Sequence, residues 1–249
     1  FTSLPPVCRT VATSSRAHSR STGEPSTNTW RVIENRTRGA EVRGRFITFE
    51  GGEGVGKTTQ LRRIGQWLGR RGVRVVSTRE PGGTERAEQL REILLSHGSE
   101  PMPPPCELLL MFAARSTHLE NLIRPAVERG DWVLCDRFTD ATYAYQGGGR
   151  GMSTESIDAL AKIVHPDMQP DLTILMDAPI ETGMARASSR NGRQGPDRFE
   201  TERVEFFERV RATYRERAAA EPQRFHVVDA SRTPEAVEEA IRAGIDRLL

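Results

Sequence analysis

Gly51-Gly52-Glu53-Gly54-Val55-Gly56-Lys57-Thr58 sets four glycines, a lysine and a hydroxyl at the spacing G-x-x-x-x-G-K-[ST] of a phosphate-binding loop. Glycines leave the backbone free to curl until successive N–H groups converge on one oxyanion. A helix starting near Lys57 adds the positive end of its dipole. Lys57 can then reach the β- and γ-phosphates of a nucleoside triphosphate, the Thr58 hydroxyl can ligate Mg²⁺, and Thr59 follows in the first helical turn. The apolar run Phe46-Ile47-Thr48-Phe49 directly before the loop is the strand this chemistry requires.

Composition narrows the rest. A chain of 249 residues suits one α/β domain with an appendage. Mean hydropathy is −0.54, and no apolar run approaches ~18 residues, so no membrane span is expected. A net charge of +2 is too small to suggest a nucleic-acid partner. Cys8, Cys106 and Cys135 are far apart in sequence, form no C-x-x-C and do not read as a zinc site or a disulfide framework, which points to a reducing compartment. The five histidines show no ligand spacing.

Residues 1–44 differ from the remainder. They are rich in Ser, Thr and Arg, with Glu24 the one acidic residue before Glu34, and they lack apolar periodicity. Disorder is the expectation. The composition resembles that of an organellar transit peptide; an untranslated or misassigned upstream extension is the alternative. The location expected is the cytoplasm, or a mitochondrion or plastid if the extension is a transit peptide.

The folded part alternates strands with helices. Strands are expected at residues 46–50, 73–77, 132–136, 172–177 and 225–229. Helices are expected from Lys57 to about Arg71, from a Thr84 cap, over 106–129, over 152–164, over 179–189 and 201–220, and from Pro234 to the end. This order predicts an α/β three-layer fold around a phosphate loop, with a five-stranded parallel sheet covered by helices on both faces. No internal repeat is present, and one domain over 45–249 is sufficient.

Four blocks occur together: the phosphate loop with Glu53, Arg79-Glu80-Pro81-Gly82-Gly83-Thr84, Met111-Phe112-Ala113-Ala114-Arg115, and Asp136-Arg137 leading to Ala144-Tyr145-Gln146. In this order the chain resembles the bacterial-type thymidylate kinases, from about Gly44 to Leu249. The resemblance implies transfer of the ATP γ-phosphoryl group to dTMP, with Mg²⁺, in a homodimer to which the apolar helix over 107–122 contributes. It implies that Arg137 grips the dTMP phosphate, that Asp136 holds Mg²⁺ through water, and that Glu53 accepts from the sugar 3′-hydroxyl. Arg79 and Glu80 approach the same phosphate and sugar. Phe112 stacks on thymine, and Arg115, three residues on, donates to its O4, where cytosine would present a second donor. Tyr145 lies beneath the sugar and excludes a 2′-hydroxyl, and Gln146 completes the pocket. Relatives often have Ser where this chain has Ala141, so Thr142 is the candidate for that hydroxyl contact.

The stretch Arg190-Asn191-Gly192-Arg193-Gln194-Gly195-Pro196-Asp197-Arg198 lies between two helices, as a lid over about 188–200 would. Residues 52–55 of the phosphate loop carry no arginine, so the lid is expected to supply the catalytic cation, from Arg190 or Arg193. The alternative on the same scaffold is another nucleoside monophosphate or deoxynucleoside kinase. A switch or transport ATPase would show Asn-Lys-x-Asp or Leu-Ser-Gly-Gly, and neither is present.

Overall fold

The computed structural model describes residues 43–97, 99–191, 198–199 and 201–249. Among these, five parallel strands form one sheet: β1 (Phe46–Glu50), β2 (Val75–Arg79), β3 (Trp132–Asp136), β4 (Leu172–Asp177) and β5 (Phe225–Asp229). Their spatial order is β2-β3-β1-β4-β5. All five residues of β1 are buried, because β3 and β4 flank it and helices cover both faces. At its centre the Thr48 and Thr173 hydroxyls meet at 3.0 Å.

One face is covered by α1 (Lys57–Arg70) and α9 (Pro234–Ile245). Leu61, Ile64 and Leu68 of α1 pack with Val237, Ile241 and Ile245 of α9 against Ile47, Phe49 and Leu134. Pro234 sits in the first turn of α9 as expected, and the Thr233 hydroxyl caps it by accepting from the Ala236 N–H. The opposite face packs Phe46, Val133 and Cys135 against Leu119, Ile123, Ala126 and Val127. Those residues belong to a continuous helical rod, α3 (Pro104–His118), a π-helical turn (Leu119–Ile123) and α4 (Arg124–Glu128), where one long helix was expected.

Strand β2 begins two residues later than its β-branched run suggests and ends at Arg79. The ladder explains this: β2 pairs with β3 from Val75–Trp132 to Arg79–Asp136, so the partner decides the ends. Thr84 stands at the start of α2 (Glu85–Leu95), but its hydroxyl makes no capping bond. The Glu88 carboxylate instead takes the Gly83 N–H at 2.8 Å.

Residues 139–149 carry no helical pattern in the sequence, yet they are helical. They form α5 (Thr139–Thr142) and a π-helical stretch (Tyr143–Gly149). The run Gly147-Gly148-Gly149 argues against a helix by propensity, yet it permits close packing on α8 (Val204–Ala220). A Cβ at Gly149 would lie 2.4 Å from the Phe206 ring. Two more helices, α6 (Thr154–Val164) and α7 (Ile180–Asn191), complete the set. No helix among the described residues is long and apolar enough to cross a membrane. Residues 1–42 lie outside the described residues, as does most of the expected lid.

Asp140 ties this unexpected segment down. Its buried carboxylate accepts from Arg217 Nε at 2.7 Å and from Arg224 Nη1 at 2.7 Å, joining α5 to α8 and to the approach of β5. Burial pushes the Asp140 carboxyl up, but Arg224 and Arg217 outweigh it and leave it below the usual carboxylate range. A depressed native pKa contributes stability above the unfolded carboxylate pKa, and that contribution is lost as pH falls through the native value. Asp140→Asn therefore destabilises the protein by about 3–5 kcal/mol near neutral pH, because two guanidinium groups lose their buried counter-charge. Urea unfolding at pH 7 and at about pH 2.5, below the unfolded carboxylate pKa, checks this: the gap between wild type and variant narrows at the lower pH.

Candidate active site

The glycines of the phosphate loop have separate reasons to be there. Gly51, Gly54 and Gly56 have φ of 132°, 66° and 94°, which side chains with a Cβ rarely adopt. A Cβ on Gly54 would also lie 1.9 Å from the Gly183 carbonyl, so α7 packs directly on the loop. Gly52 has neither constraint. Gly56 leads into α1 without a side-chain cap, which leaves the first-turn N–H groups free to meet an anion. Lys57 is buried, and its ammonium donates to the Gly52 carbonyl at 2.8 Å and the Gly51 carbonyl at 3.2 Å. Burial, and then the Arg137 charge, depress its pKa.

Beside the loop, at the carboxyl end of β3, stands Arg137. It is the one non-glycine residue with positive φ, 71°, among those described, a conformation that costs roughly 1–2 kcal/mol. Its N–H donates to the Phe49 carbonyl at 3.0 Å, extending the β1–β3 pairing by one bond. Its guanidinium donates from Nη1 to the Gly51 carbonyl (2.9 Å) and the Tyr214 hydroxyl (3.2 Å), and from Nη2 to Glu53 Oε1 (2.6 Å) and the Tyr145 hydroxyl (2.9 Å). Tyr145 in turn donates to Glu53 Oε1 at 2.9 Å. Glu53, Arg137 and Tyr145, chosen from sequence, are thus in mutual contact.

A second cluster lies where β2 ends. Glu80 is buried and receives Arg115 Nε at 2.7 Å, while His118 Nδ1 lies 3.0 Å from its other oxygen. Burial pushes the Glu80 carboxyl up, yet Arg115 and His118 outweigh it and leave it low. Arg115 also donates from Nη2 to the Thr142 hydroxyl at 3.0 Å, so Thr142 supports the arginine. Its remaining nitrogen, Nη1, is buried with no hydrogen-bond partner. Arg79 Nη2 is held by the Glu88 carboxylate at 2.9 Å, and Gln146 donates to the buried Glu107 at 2.8 Å.

One cavity of about 710 Å³ joins these groups. Its lining includes residues 53–60 of the loop and α1, then Arg79, Glu80, Arg115, Asp136, Arg137, Thr142, Tyr145 and Gln146, and Arg232, Pro234 and Val237 beyond β5. It runs along the carboxyl edge of the sheet past β2, β3, β1 and β5, where open α/β sheets bind ligands. Gly51 and Gly52 do not line it; their carbonyls face Lys57 and Arg137 instead.

The expectation for Phe112 is corrected. Its ring is buried with Leu108 and Ile157, stacked at 6.4 Å on His165, and does not line the cavity. Met111, four residues before Arg115, does. Positions three and four apart both neighbour Arg115 on a helix, and only the packing of α3 on α6 decides which one faces the core. Arg190 belongs to α7, with its side chain outside what is described; Arg193 lies outside the described residues altogether.

Two participants went unnoticed in the sequence. Glu50, at the end of β1, accepts from the Phe138 N–H at 2.7 Å and from the Tyr214 hydroxyl at 2.7 Å. Burial, and then Asp140, push its carboxyl up to about 8. A carboxylate closing an otherwise apolar strand was the available signal for Glu50. Tyr214, in the middle of α8, offered none.

Comparison with known proteins agrees with the geometry. The thymidylate kinase family profile matches residues 49–241. The chain is 54% identical over 207 residues to a thymidylate kinase of Chromohalobacter salexigens, covering 83% of this chain and 97% of that one. It is 53% identical over 212 residues to that of Alkalilimnicola ehrlichii, covering 84% and 97%. The crystal structure of thymidylate kinase from Ehrlichia chaffeensis superposes with a TM-score of 0.66 at 31% identity, covering 84% of this chain and all of that one. With the loop, the Arg137 cluster and the Arg115 cluster assembled around one cavity, the match over both sequence and fold places this chain in the thymidylate kinase family.

Proposed function

We propose that ATP and dTMP lie end to end in this cavity, ATP on the phosphate loop and dTMP against Arg79, Arg115, Tyr145 and Gln146, with Arg137 where their phosphates meet. The chain is an ATP-dependent phosphotransferase, a thymidylate kinase converting dTMP to dTDP. The observation that carries the arrangement is Arg115. A guanidinium N–H buried in the cavity without an acceptor is costly, and thymine O4 would satisfy it. Cytosine, with an amino group at that place, would leave two donors opposed.

The acceptor phosphate needs no general base, because a phosphate monoester with a second pKa near ~6 is already anionic at neutral pH. The task is to hold two repelling anions in line, for which planar guanidinium forks are suited. Arg137 does this next to Lys57, and Glu53, on the same guanidinium, is within reach of the sugar. Tyr145 excludes a 2′-hydroxyl, and Met111 gives the base an apolar contact. Gln60, Arg232, Pro234 and Val237 line the remaining part, which suits the adenine. Arg190 and Arg193 are the proposed lid cations.

Mg²⁺ fits the residues present. Asp136 Oδ1 is buried without a hydrogen-bond partner, and Thr58 stands in the first turn of α1. No cluster of three or more metal-ligating side chains exists among the described residues, which suits an ion that is carried by phosphates and water with one carboxylate nearby. When bound, Mg²⁺ would neutralise charge on the transferring phosphate. We also read the protein as a homodimer. Leu109 on α3 and Ile163 on α6, helices that pack together, are 58% and 75% exposed.

Three outcomes test this reading. Lys57→Ala lowers kcat at least about a hundredfold in a coupled ADP-release assay with ATP and dTMP; full activity would remove the loop lysine from the chemistry. Arg115→Ala raises KM for dTMP by about ten- to a hundredfold with little change in KM for ATP, and equal effects on both would move the base pocket elsewhere. Met111→Ala weakens dTMP binding, whereas Phe112→Leu lowers Tm and leaves the dTMP KM within about twofold.

A further inference from the structure

We infer that Glu50 is a positioning residue for Arg137, holding both the backbone and the guanidinium of the arginine that meets the acceptor phosphate. The inference rests on the reading of Arg137 given above. Glu50 is fully buried and does not line the cavity, so it acts only through other groups.

Arg137 occupies the left-handed region, which an arginine does not hold unaided. Two bonds bracket it. The Arg137 N–H goes to the Phe49 carbonyl at 3.0 Å, and the next N–H, that of Phe138, goes to Glu50 Oε1 at 2.7 Å. Phe49 and Glu50 are consecutive, so the last two residues of the central strand clamp the amides on either side of the strained Cα. The other carboxylate oxygen of Glu50 takes the Tyr214 hydroxyl at 2.7 Å, and the oxygen of that hydroxyl accepts Arg137 Nη1 at 3.2 Å. A single carboxylate therefore fixes the main chain at residue 138 and, through Tyr214, one edge of the guanidinium.

Burying a carboxyl at this depth is unfavourable, as its raised pKa reflects. An apolar residue would complete the run of Phe46, Ile47 and Phe49 without that cost. What it could not do is accept the Phe138 N–H, and β1 offers no second acceptor at that position. The acceptor oxygen that faces the Phe138 N–H, not the charge, is the property the site uses most.

The test is steady-state kinetics of the full chain with ATP and dTMP, beside thermal melts, for Glu50→Leu, Glu50→Gln, Tyr214→Phe and Arg137→Ala. Glu50→Leu raises the dTMP KM by about ten- to a hundredfold while the ATP KM stays within about twofold. Glu50→Gln recovers most of the loss, since its amide carbonyl still accepts from Phe138. Tyr214→Phe raises the dTMP KM a few-fold, and it keeps the question open to measurement if Glu50→Leu does not fold. A dTMP KM unchanged in Glu50→Leu and Tyr214→Phe, with Arg137→Ala still raising it, overturns the inference alone. A dTMP KM unmoved by Arg137→Ala overturns the role of Arg137 itself, and the inference with it. A fall in Tm with equal changes in both KM values reduces Glu50 to a packing residue.

Discussion

Everything at this site depends on holding one guanidinium, that of Arg137, at the carboxyl end of β3 beside the phosphate loop. The backbone leaves its ordinary range to do so, and the surrounding groups hold it there. Phe49 and Glu50 fix the amides on either side. Gly51, Glu53, Tyr145 and Tyr214 take the four described hydrogen bonds of the guanidinium. Four of those six residues, Phe49, Glu50, Gly51 and Glu53, come from the end of β1 or from the phosphate loop that follows it. The loop that binds one anion and the arginine proposed to bind the other are therefore parts of a single hydrogen-bonded unit. In such a unit the spacing between the loop and the guanidinium is set by the sheet, not by flexible side chains.

The second cluster uses the opposite arrangement of charge. Glu80 neutralises Arg115 and is itself bonded to His118, so the arginine stays buried with its Nη1 unpaired. An ion pair this deep gives little net stability, since desolvation offsets the attraction. Its value lies in orientation: Glu80 holds Nε and Thr142 holds Nη2, which leaves Nη1 as the nitrogen without a protein partner. On the proposed placing of thymine, selectivity between a carbonyl and an amino group would follow from this geometry.

Much of this was legible in the residues. The phosphate loop has a spacing that few other structures require, and alternating apolar runs and helical periodicity place four strands to the residue. The fifth was two residues out, because Val73 and Arg74 belong to the β-branched run but lie before the first pairing of the ladder, Val75 with Trp132. Phe112 turns to the core and not to the cavity for a related reason. Three- and four-residue spacings are both one helix face, and the burial of Phe112 with Leu108 and Ile157 depends on α6. The helical turns over 139–149 could not be read at all, since three consecutive glycines oppose a helix locally. Their packing against Phe206, Arg209 and Thr213 of α8, together with the pairing of Asp140 with two arginines, overrides that preference.

By itself, then, the order of residues determined the sheet class, the triphosphate loop and the family of chemistry, because each is encoded in local spacing. Short-range steric and hydrogen-bonding rules act on neighbours in the chain and need no partner to be expressed. Only the tertiary structure decided that Met111 rather than Phe112 faces the cavity, that Thr142 supports Arg115, and that Glu50 and Tyr214 hold Arg137. Glu50 and Tyr214 stand 164 residues apart. No periodicity links positions so distant, and their contact exists only once the packing of α8 on the sheet has brought them together.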